Sequence, residues 1–337
     1  MNSRFKPNLN RVYLLPKLDS WPEAFHRFDV RSIGAVQTAL AAGRPLLVRG
    51  EPGLGKSQLA RAVAEVLKVP LVYQVINATC ECNDLLYHYD AVSRLAQAQV
   101  LQAAGQGKDW ETRLDIVRFI RPGVLWWGLD WDSAEKQASE KHYNKVEPPS
   151  SPPKWKANEG CVVLIDEIDK ADADLANGLL ESLGNLAFQV PATGQVVSHP
   201  DNCTAPLVII TTNEDRELPP AFVRRCVVLQ MDLPKTEAEQ IEFLVARGRA
   251  HFDGKTNQGI GSAEVYQEAA RQLWADRAQA KKLGQPKPGA AEYLDLLRTL
   301  ADMYGGDGAA QLKALQSSQP FELRDFVFRK HPKPDPE

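Results

Sequence analysis

Five short apolar runs punctuate the first two thirds of the chain, at 45–49, 71–76, 161–165, 207–211 and 227–231. They show no polar alternation, which is the pattern of strands covered by helices on both faces of a parallel sheet. Helical periodicity lies between them at roughly 56–67, 91–102 and 172–183. Strand and helix taking turns in this way predict an α/β fold. Beyond Pro234 strands stop, and helical stretches at 237–250, 263–282, 290–304 and 321–329 predict a small all-helical domain. Residues 1–30, rich in Pro, Asn and charge, read as an extended arm. The segment 147–156, EPPSSPPKWK, reads as a surface connection, and 331–337, HPKPDPE, as a tail without a packed element. The expected organisation is an arm at 1–30, an α/β core at 31–234, a helical domain at 235–330 and a tail at 331–337.

Composition narrows the class without changing this picture. The 337 residues suit two domains. A formal net charge of −3 supplies no global basic field for nucleic acid or an anionic membrane. No apolar run approaches the ~20 residues of a membrane span, and the opening MNSRFKPNLN lacks an apolar signal core. A cytoplasmic location is expected. The five cysteines, Cys80, Cys82, Cys161, Cys203 and Cys226, are odd in number and read as free thiols in a reducing compartment. Cys80 and Cys82 lack the second Cys/His pair that a zinc site would need.

Residues 50–57 read GEPGLGKS: Gly50, Glu51, Pro52, Gly53, Leu54, Gly55, Lys56 and Ser57, followed by Gln58. This is the G-x-x-x-x-G-K-S phosphate loop, entered from a predicted strand and left through a predicted helix, as the motif requires. Glycines allow a turn tight enough for successive N–H groups to converge on a phosphate, and the helix start adds its dipole. Lys56 is expected on the β- and γ-phosphates, and the Ser57 hydroxyl on Mg²⁺. A chance glycine turn is the competing explanation, and the flanking strand and helix weigh against it.

A second constellation lies at 161–167, CVVLIDE, where a buried strand ends in Asp166 and Glu167. Ligands of open α/β sheets bind at strand carboxyl ends. Asp166 is expected to hold Mg²⁺, and Glu167 to orient and deprotonate the attacking water. The bland reading is a solvated acidic turn, since IDKADAD follows. The next run, PLVIITTNED, ends at Thr211, Thr212 and Asn213, where a polar side chain could place that water. LPPAFVRRC then carries Arg224 and Arg225, which read either as a charged edge or as arginines reaching a neighbouring subunit's γ-phosphate.

The order GEPGLGKS, VVLIDE, IITTN, AFVRR and a helical tail domain resembles an AAA+ ATPase, and more narrowly the MoxR-like, helix-2-insert branch. The likeness covers roughly 25–330. NDLLYHYDAVSRL (83–95) is similar to a segment after the second strand in one subgroup. FIRPGVLW (119–126) looks like the branch's hairpin inserted into the second helix, and LLESLGNLAFQVPATGQVV (179–197) like its helix and hairpin before the sensor strand. The resemblance implies a P-loop AAA+, doubly wound, five-stranded parallel sheet with a C-terminal all-helical lid domain. It implies Lys56 and Ser57 as the Walker A pair, Asp166 and Glu167 as the Walker B pair, Asn213 as first sensor, and Arg225, with Arg224, as arginine finger. ATP and Mg²⁺ are the implied cofactors. A ring, commonly a hexamer, a protein client for chaperone-like remodelling and a partner with a von Willebrand A domain are the implied associations. One departure stands out: QPKPGAAEYLDLL (285–297) has no Arg where the family's second sensor sits, leaving Lys287 and Arg324 as substitutes.

Trp126, Trp127 and Trp131, with Trp110 nearby, read as packing anchors in preference to a partner contact. The run 271–282, with Arg277, Lys281 and Lys282, reads as a solvated helix face. Two other functions compete with a protein remodeller. A nucleic-acid NTPase motor needs a basic surface, which the charge argues against. An ATP-gated assembly scaffold has no use for Glu167. A GTPase is disfavoured because N-K-x-D is missing from the sequence.

Overall fold

Apolar β-branched runs too short for helices and too continuous for an exposed sheet face are buried as parallel strands. The computed structural model, which describes residues 4–105, 109–253, 259–317 and 322–329, bears this out. The chain begins with β1 (Tyr13–Leu15), β2 (Ala24–His26), α1 (Val30–Ala42), β3 (Leu46–Arg49), α2 (Lys56–Leu67) and β4 (Leu71–Val75). An insert follows: α3 (Cys82–Leu86), β5 (Tyr87–Tyr89), α4 (Ala91–Ala103), α5 (Trp110–Arg113), β6 (Ile120–Pro122), α6 (Val124–Leu129) and α7 (Trp131–Lys136). The core resumes with β7 (Val162–Asp166), α8 (Ala173–Asn185), β8 (Ala187–Val190), β9 (Gln195–Ser198), β10 (Leu207–Thr212), α9 (Pro220–Val223) and β11 (Val227–Gln230). Helices α10 (Glu237–Phe252), α11 (Ala263–Lys282), α12 (Ala290–Tyr304), α13 (Gly308–Gln316) and α14 (Leu323–Val327) complete it.

The chain divides into two compact units. The first holds Val30–Arg49 and Leu59–Leu229 with the described residues up to Pro7. Its sheet is parallel, in the order β11-β3-β10-β7-β4. β7 and β10 are buried at every position, as central strands covered on both faces must be. Register fixes the functional edge. Thr212 lies opposite Arg49 and Ile210 opposite Ile165, so β3, β10 and β7 end side by side.

The insert of this unit corrects one expectation. Residues 119–126 do not form a hairpin of their own. Ile120–Pro122 pairs antiparallel with Tyr87–Tyr89, and the chain turns helical from Val124. Gly123 explains the switch, because a Cβ there would come within 2.5 Å of the Leu85 carbonyl oxygen, so only glycine lets α6 start against α3. Trp126, Trp127 and Trp131 are all buried in the core, and Trp126 and Trp131 make edge-to-face contacts with Phe188 and Trp155. They are packing residues. The buried Gln137 amide donates to the Val117 and Ile120 carbonyls at 2.7 and 2.8 Å, which staples the insert. The hairpin expected within 179–197 is present as β8 and β9.

The second unit holds Asn8–Asp29, Gly50–Gln58 and the chain from Gln230. Segment 1–30, expected as an extended arm, carries a short antiparallel pair, β1 with β2, and Phe25 meets the ring of His251 on α10. The helical core is built from α10, α11 and α12 around Leu244, Leu273, Tyr293 and Leu297. α13 escaped the sequence reading; Asp307 caps it by accepting the N–H groups of Ala309 and Ala310. The tail at 331–337 lies outside the described residues.

Candidate active site

β3 runs directly into the glycine loop, and α2 leaves it at Lys56. Gly50, Gly53 and Gly55 all have positive φ, at 144°, 77° and 84°. A Cβ on Gly50 would lie 2.0 Å from the Met231 carbonyl oxygen, so the turn admits no side chain there. Lys56 is buried, and its Nζ donates to the Gly50 and Glu51 carbonyls at 2.6 and 3.0 Å. The ammonium is thus folded into the concave side of its own loop. A Gly-rich turn, a buried lysine inside it and a helix start below it form a cradle that fits a phosphate chain.

The same segment is tied to the helical unit. Leu54 belongs to that unit's core, where it is almost fully buried. Glu51 pairs with Arg277 at 2.7 Å and Lys287 at 3.2 Å. Burial pushes the Glu51 carboxyl up, but the hydrogen bonds and charges of Arg277 and then Lys287 outweigh it and hold it below the usual carboxylate range. Arg277 also donates to the Pro288 carbonyl at 2.6 Å. The expectation that Arg277 lies on a solvated helix face is therefore corrected: its side chain is only 12% exposed and its partners are the phosphate loop and the start of α12. Of the two substitutes for the second sensor, Lys287 reaches the loop through Glu51, whereas Arg324 pairs with Glu322 inside the C-terminal segment. Ser57 and Gln58 are half-buried at the start of α2, and Pro52 is exposed.

In the first unit, the acidic pair sits at the tip of β7. Asp166 is 7% exposed and its Oδ1 accepts from the Thr211 hydroxyl at 2.5 Å. The same hydroxyl oxygen accepts the Glu167 N–H at 2.9 Å. Glu167 has left-handed backbone, φ 60° and ψ 48°, a conformation disfavoured for a side chain with a Cβ. Its carboxylate Oε1 accepts from the Asn213 amide at 3.2 Å. The three groups foreseen on these two strands therefore converge, with Thr211 as the bracket between them.

Asp169 was not singled out in the sequence, where it was read with its neighbours as a solvated turn. It is 2% exposed, and its Oδ2 accepts the N–H groups of Asn213 and Asp215 at 3.1 and 2.9 Å. It holds the β10 loop in place under the Asn213 side chain. Only its burial reveals this, and no local pattern encodes burial in an acidic run. Arg49 lies 3.5 Å from Glu214 at the same edge. Arg224 and Arg225 are exposed after α9, and Arg225 donates to the Leu180 carbonyl at 3.4 Å.

Among the described residues no group of three or more His, Cys, Asp or Glu side chains could hold a metal ion. Within the first unit, the oxygen donors at the β7 tip, Asp166 and Glu167, are of the hard kind that suits Mg²⁺, which takes many of its ligands from phosphate and water. Burial pushes the Cys161 thiol up to about 12 and the Cys226 thiol up to about 11, so both stay protonated. No helix among the described residues is long and apolar enough to cross a membrane.

A glycine loop after β3, a Lys56 folded into it and paired acids on β7, two strands away in a five-stranded parallel sheet, define a P-loop nucleotide-binding core of AAA+ type. The chain belongs to the AAA domain family, dynein-related subfamily, whose model matches residues 45–226. Among solved structures it is similar to a mutant of Thermotoga maritima RuvB, at 15% identity and a TM-score of 0.42, covering 85% of this chain and 66% of that one. It is also similar to the T. maritima RuvB Holliday junction branch migration motor, at 13% identity and a TM-score of 0.33, over 80% of this chain and 67% of that one. A Cytophaga hutchinsonii protein solved as a candidate ATPase gives 13% identity and a TM-score of 0.35, over 84% and 78%. This chain thus spans about two thirds of the length of the RuvB chains it matches. No curated protein matches it.

Proposed function

We propose that this protein is a Mg²⁺-ATP-dependent AAA+ ATPase of MoxR-like type that works as a ring, commonly a hexamer, and remodels a protein client. The observation that carries the hydrolytic part is the Glu167 carboxylate, held by Asn213 beside a buried Asp166. A protein that only binds nucleotide needs no such base.

ATP supplies the phosphoanhydride to be cleaved, and Mg²⁺ neutralises charge on its outer phosphates. The main-chain N–H groups of 53–57 and the Lys56 ammonium bind the phosphate chain, with Gly50 through Gln58 shaping the cradle. On the resemblance, Ser57 and Asp166 would be the protein ligands of Mg²⁺. Asp166 accepts from the Thr211 hydroxyl, which fixes the direction of its carboxylate. Glu167 takes the proton of the attacking water, and Asn213 fixes both the carboxylate and that water. Arg225, with Arg224 beside it, is exposed and available to a neighbouring subunit's nucleotide, where an arginine stabilises developing charge.

The protein-client reading is supported by the sequence resemblance and by the insert. α4 leaves Val92, Leu95 and Val100 exposed, an apolar face suited to protein contact. A partner with a von Willebrand A domain and a cytoplasmic setting belong to the same reading.

Glu167→Gln tests the reading. The variant keeps Mg²⁺-ATP affinity and loses steady-state turnover by about 10²-fold or more. Wild-type turnover in that variant would remove Glu167 from the role of base.

A further inference from the structure

The phosphate loop is held along its outer side by the helices of its own unit. The Glu51 carboxylate meets Arg277 of α11 and Lys287. A Cβ on Gly289, the residue before α12, would stand 3.0 Å from the Pro52 carbonyl oxygen. One on Gly53 would stand 2.8 Å from the Ala291 Cβ. The Leu54 side chain lies in the helical core, and its carbonyl accepts from Nη2 of Arg247 at 2.8 Å. Successive residues from 51 to 54 thus each touch α10, α11 or the start of α12.

Arg277 differs from the other contacts in bridging two elements. Nη2 donates to the Glu51 carboxylate at 2.7 Å, and Nη1 donates to the Pro288 carbonyl at 2.6 Å. One planar guanidinium therefore ties residue 51 to the segment that enters α12, with both directions set by the fork. The Arg277 side chain is 12% exposed against 40% for Lys287, so water screens its charge less.

Glu51 carries that tie inward. Its own carbonyl, with that of Gly50, accepts from the Lys56 ammonium at 3.0 and 2.6 Å. The side chain of residue 51 is thus placed by Arg277, while its main chain places Lys56. A change at the first bond displaces the second, because both belong to one residue.

We propose that Arg277 is a positioning residue for phosphate binding, acting through Glu51 to fix the loop carbonyls from which Lys56 is presented. This rests on the reading of that loop as a nucleotide cradle. The effect passes through the loop and requires no contact between Arg277 and phosphate.

Calorimetric titration of the full-length protein with Mg²⁺-ATP and with Mg²⁺-pyrophosphate tests this. The proteins are the wild type, Arg277→Gln, Glu51→Gln, Lys56→Ala and the three pairwise combinations. Arg277→Gln is expected to lose about 10-fold in affinity for both ligands. Glu51→Gln should lose about as much, and the Arg277→Gln/Glu51→Gln protein no more than either alone. On the Lys56→Ala background the further loss from Arg277→Gln should shrink below about twofold, a coupling that a merely structural residue would not show. An equal loss with and without Lys56 would make Arg277 structural and overturn the proposal. Additive losses from Arg277→Gln and Glu51→Gln would take Glu51 out of the path and overturn it too. So would unchanged affinities, or a loss for ATP alone, which would move the effect to the nucleoside. Should Arg277→Gln fail to fold, Glu51→Gln with and without Lys56→Ala, and Arg277→Lys, which keeps the charge without the fork, are read on the same scale. Wild-type protein that binds neither ATP nor pyrophosphate would instead sink the cradle reading itself.

Discussion

At the residue scale, one hydroxyl organises the hydrolytic edge. Thr211 donates to Asp166 and accepts from the Glu167 N–H, so it sets the direction of both acids at once. Glu167 sits in left-handed backbone, which costs on the order of 1–3 kcal/mol and persists only where its surroundings over-determine it. Thr211→Val keeps the shape and removes both bonds. It should lower stability by about 1–3 kcal/mol, read in urea unfolding, and reduce turnover more than ATP affinity. Unaltered turnover would show that the acids need no bracket. His26 makes a separate case. Burial, then the charges of Arg247 and His251, push its pKa down from 6.5 to about 3. The unfolded chain therefore takes up a proton between pH 6.5 and about 3 that the folded chain refuses. Its contribution to stability is complete above pH 6.5 and falls as pH drops through that window, by about 1.4 kcal/mol per pH unit. His26→Phe should flatten the fall in melting temperature between pH 7 and 5; an unchanged slope would assign the acid sensitivity to other groups. Asp166, Glu167 and Asn213 were legible in the sequence because each ends an unbroken apolar strand. Asp169 and Arg277 were not, since their roles depend on burial against segments 44 or more positions away.

At the scale of elements, the glycine loop belongs with the helices that follow the sheet. Leu54 is part of their core, and Glu51 is clamped by Arg277 of α11 and Lys287 just before α12. These pairs are partly solvated, so each contributes modestly to stability; their effect is on loop order. Glu51→Gln should raise amide exchange across 50–58 severalfold while global unfolding free energy changes by less than about 1 kcal/mol. Equal exchange in both proteins would assign the ordering to Leu54 alone. Strands of the sheet and the long helices were readable from the chain because their apolar period is sustained. The β5–β6 pairing was not, because it joins Tyr87–Tyr89 to Ile120–Pro122 across α4 and α5, and three-residue strands carry no period. The Arg277 side chain shows the matching limit for helices: a basic run looks solvated until the carboxylate it meets is known.

At the scale of the whole molecule, the proposed ring would bring Arg225 to a neighbouring subunit's nucleotide. Arg225 is exposed and makes a long bond to the Leu180 carbonyl, so it is available to a second copy. Arg225→Ala should leave ATP affinity intact and lower turnover about 10³-fold, and wild-type specific activity should rise with protein concentration as rings form. Concentration-independent activity that survives Arg225→Ala would describe a self-sufficient monomer. Calorimetric titration of Mg²⁺-ATP into wild-type protein and Lys56→Ala shows whether the glycine loop holds the phosphates of ATP through Lys56. The wild type should bind saturably, and the variant with an affinity about 10- to 100-fold weaker. Equal affinity in the two proteins would contradict it.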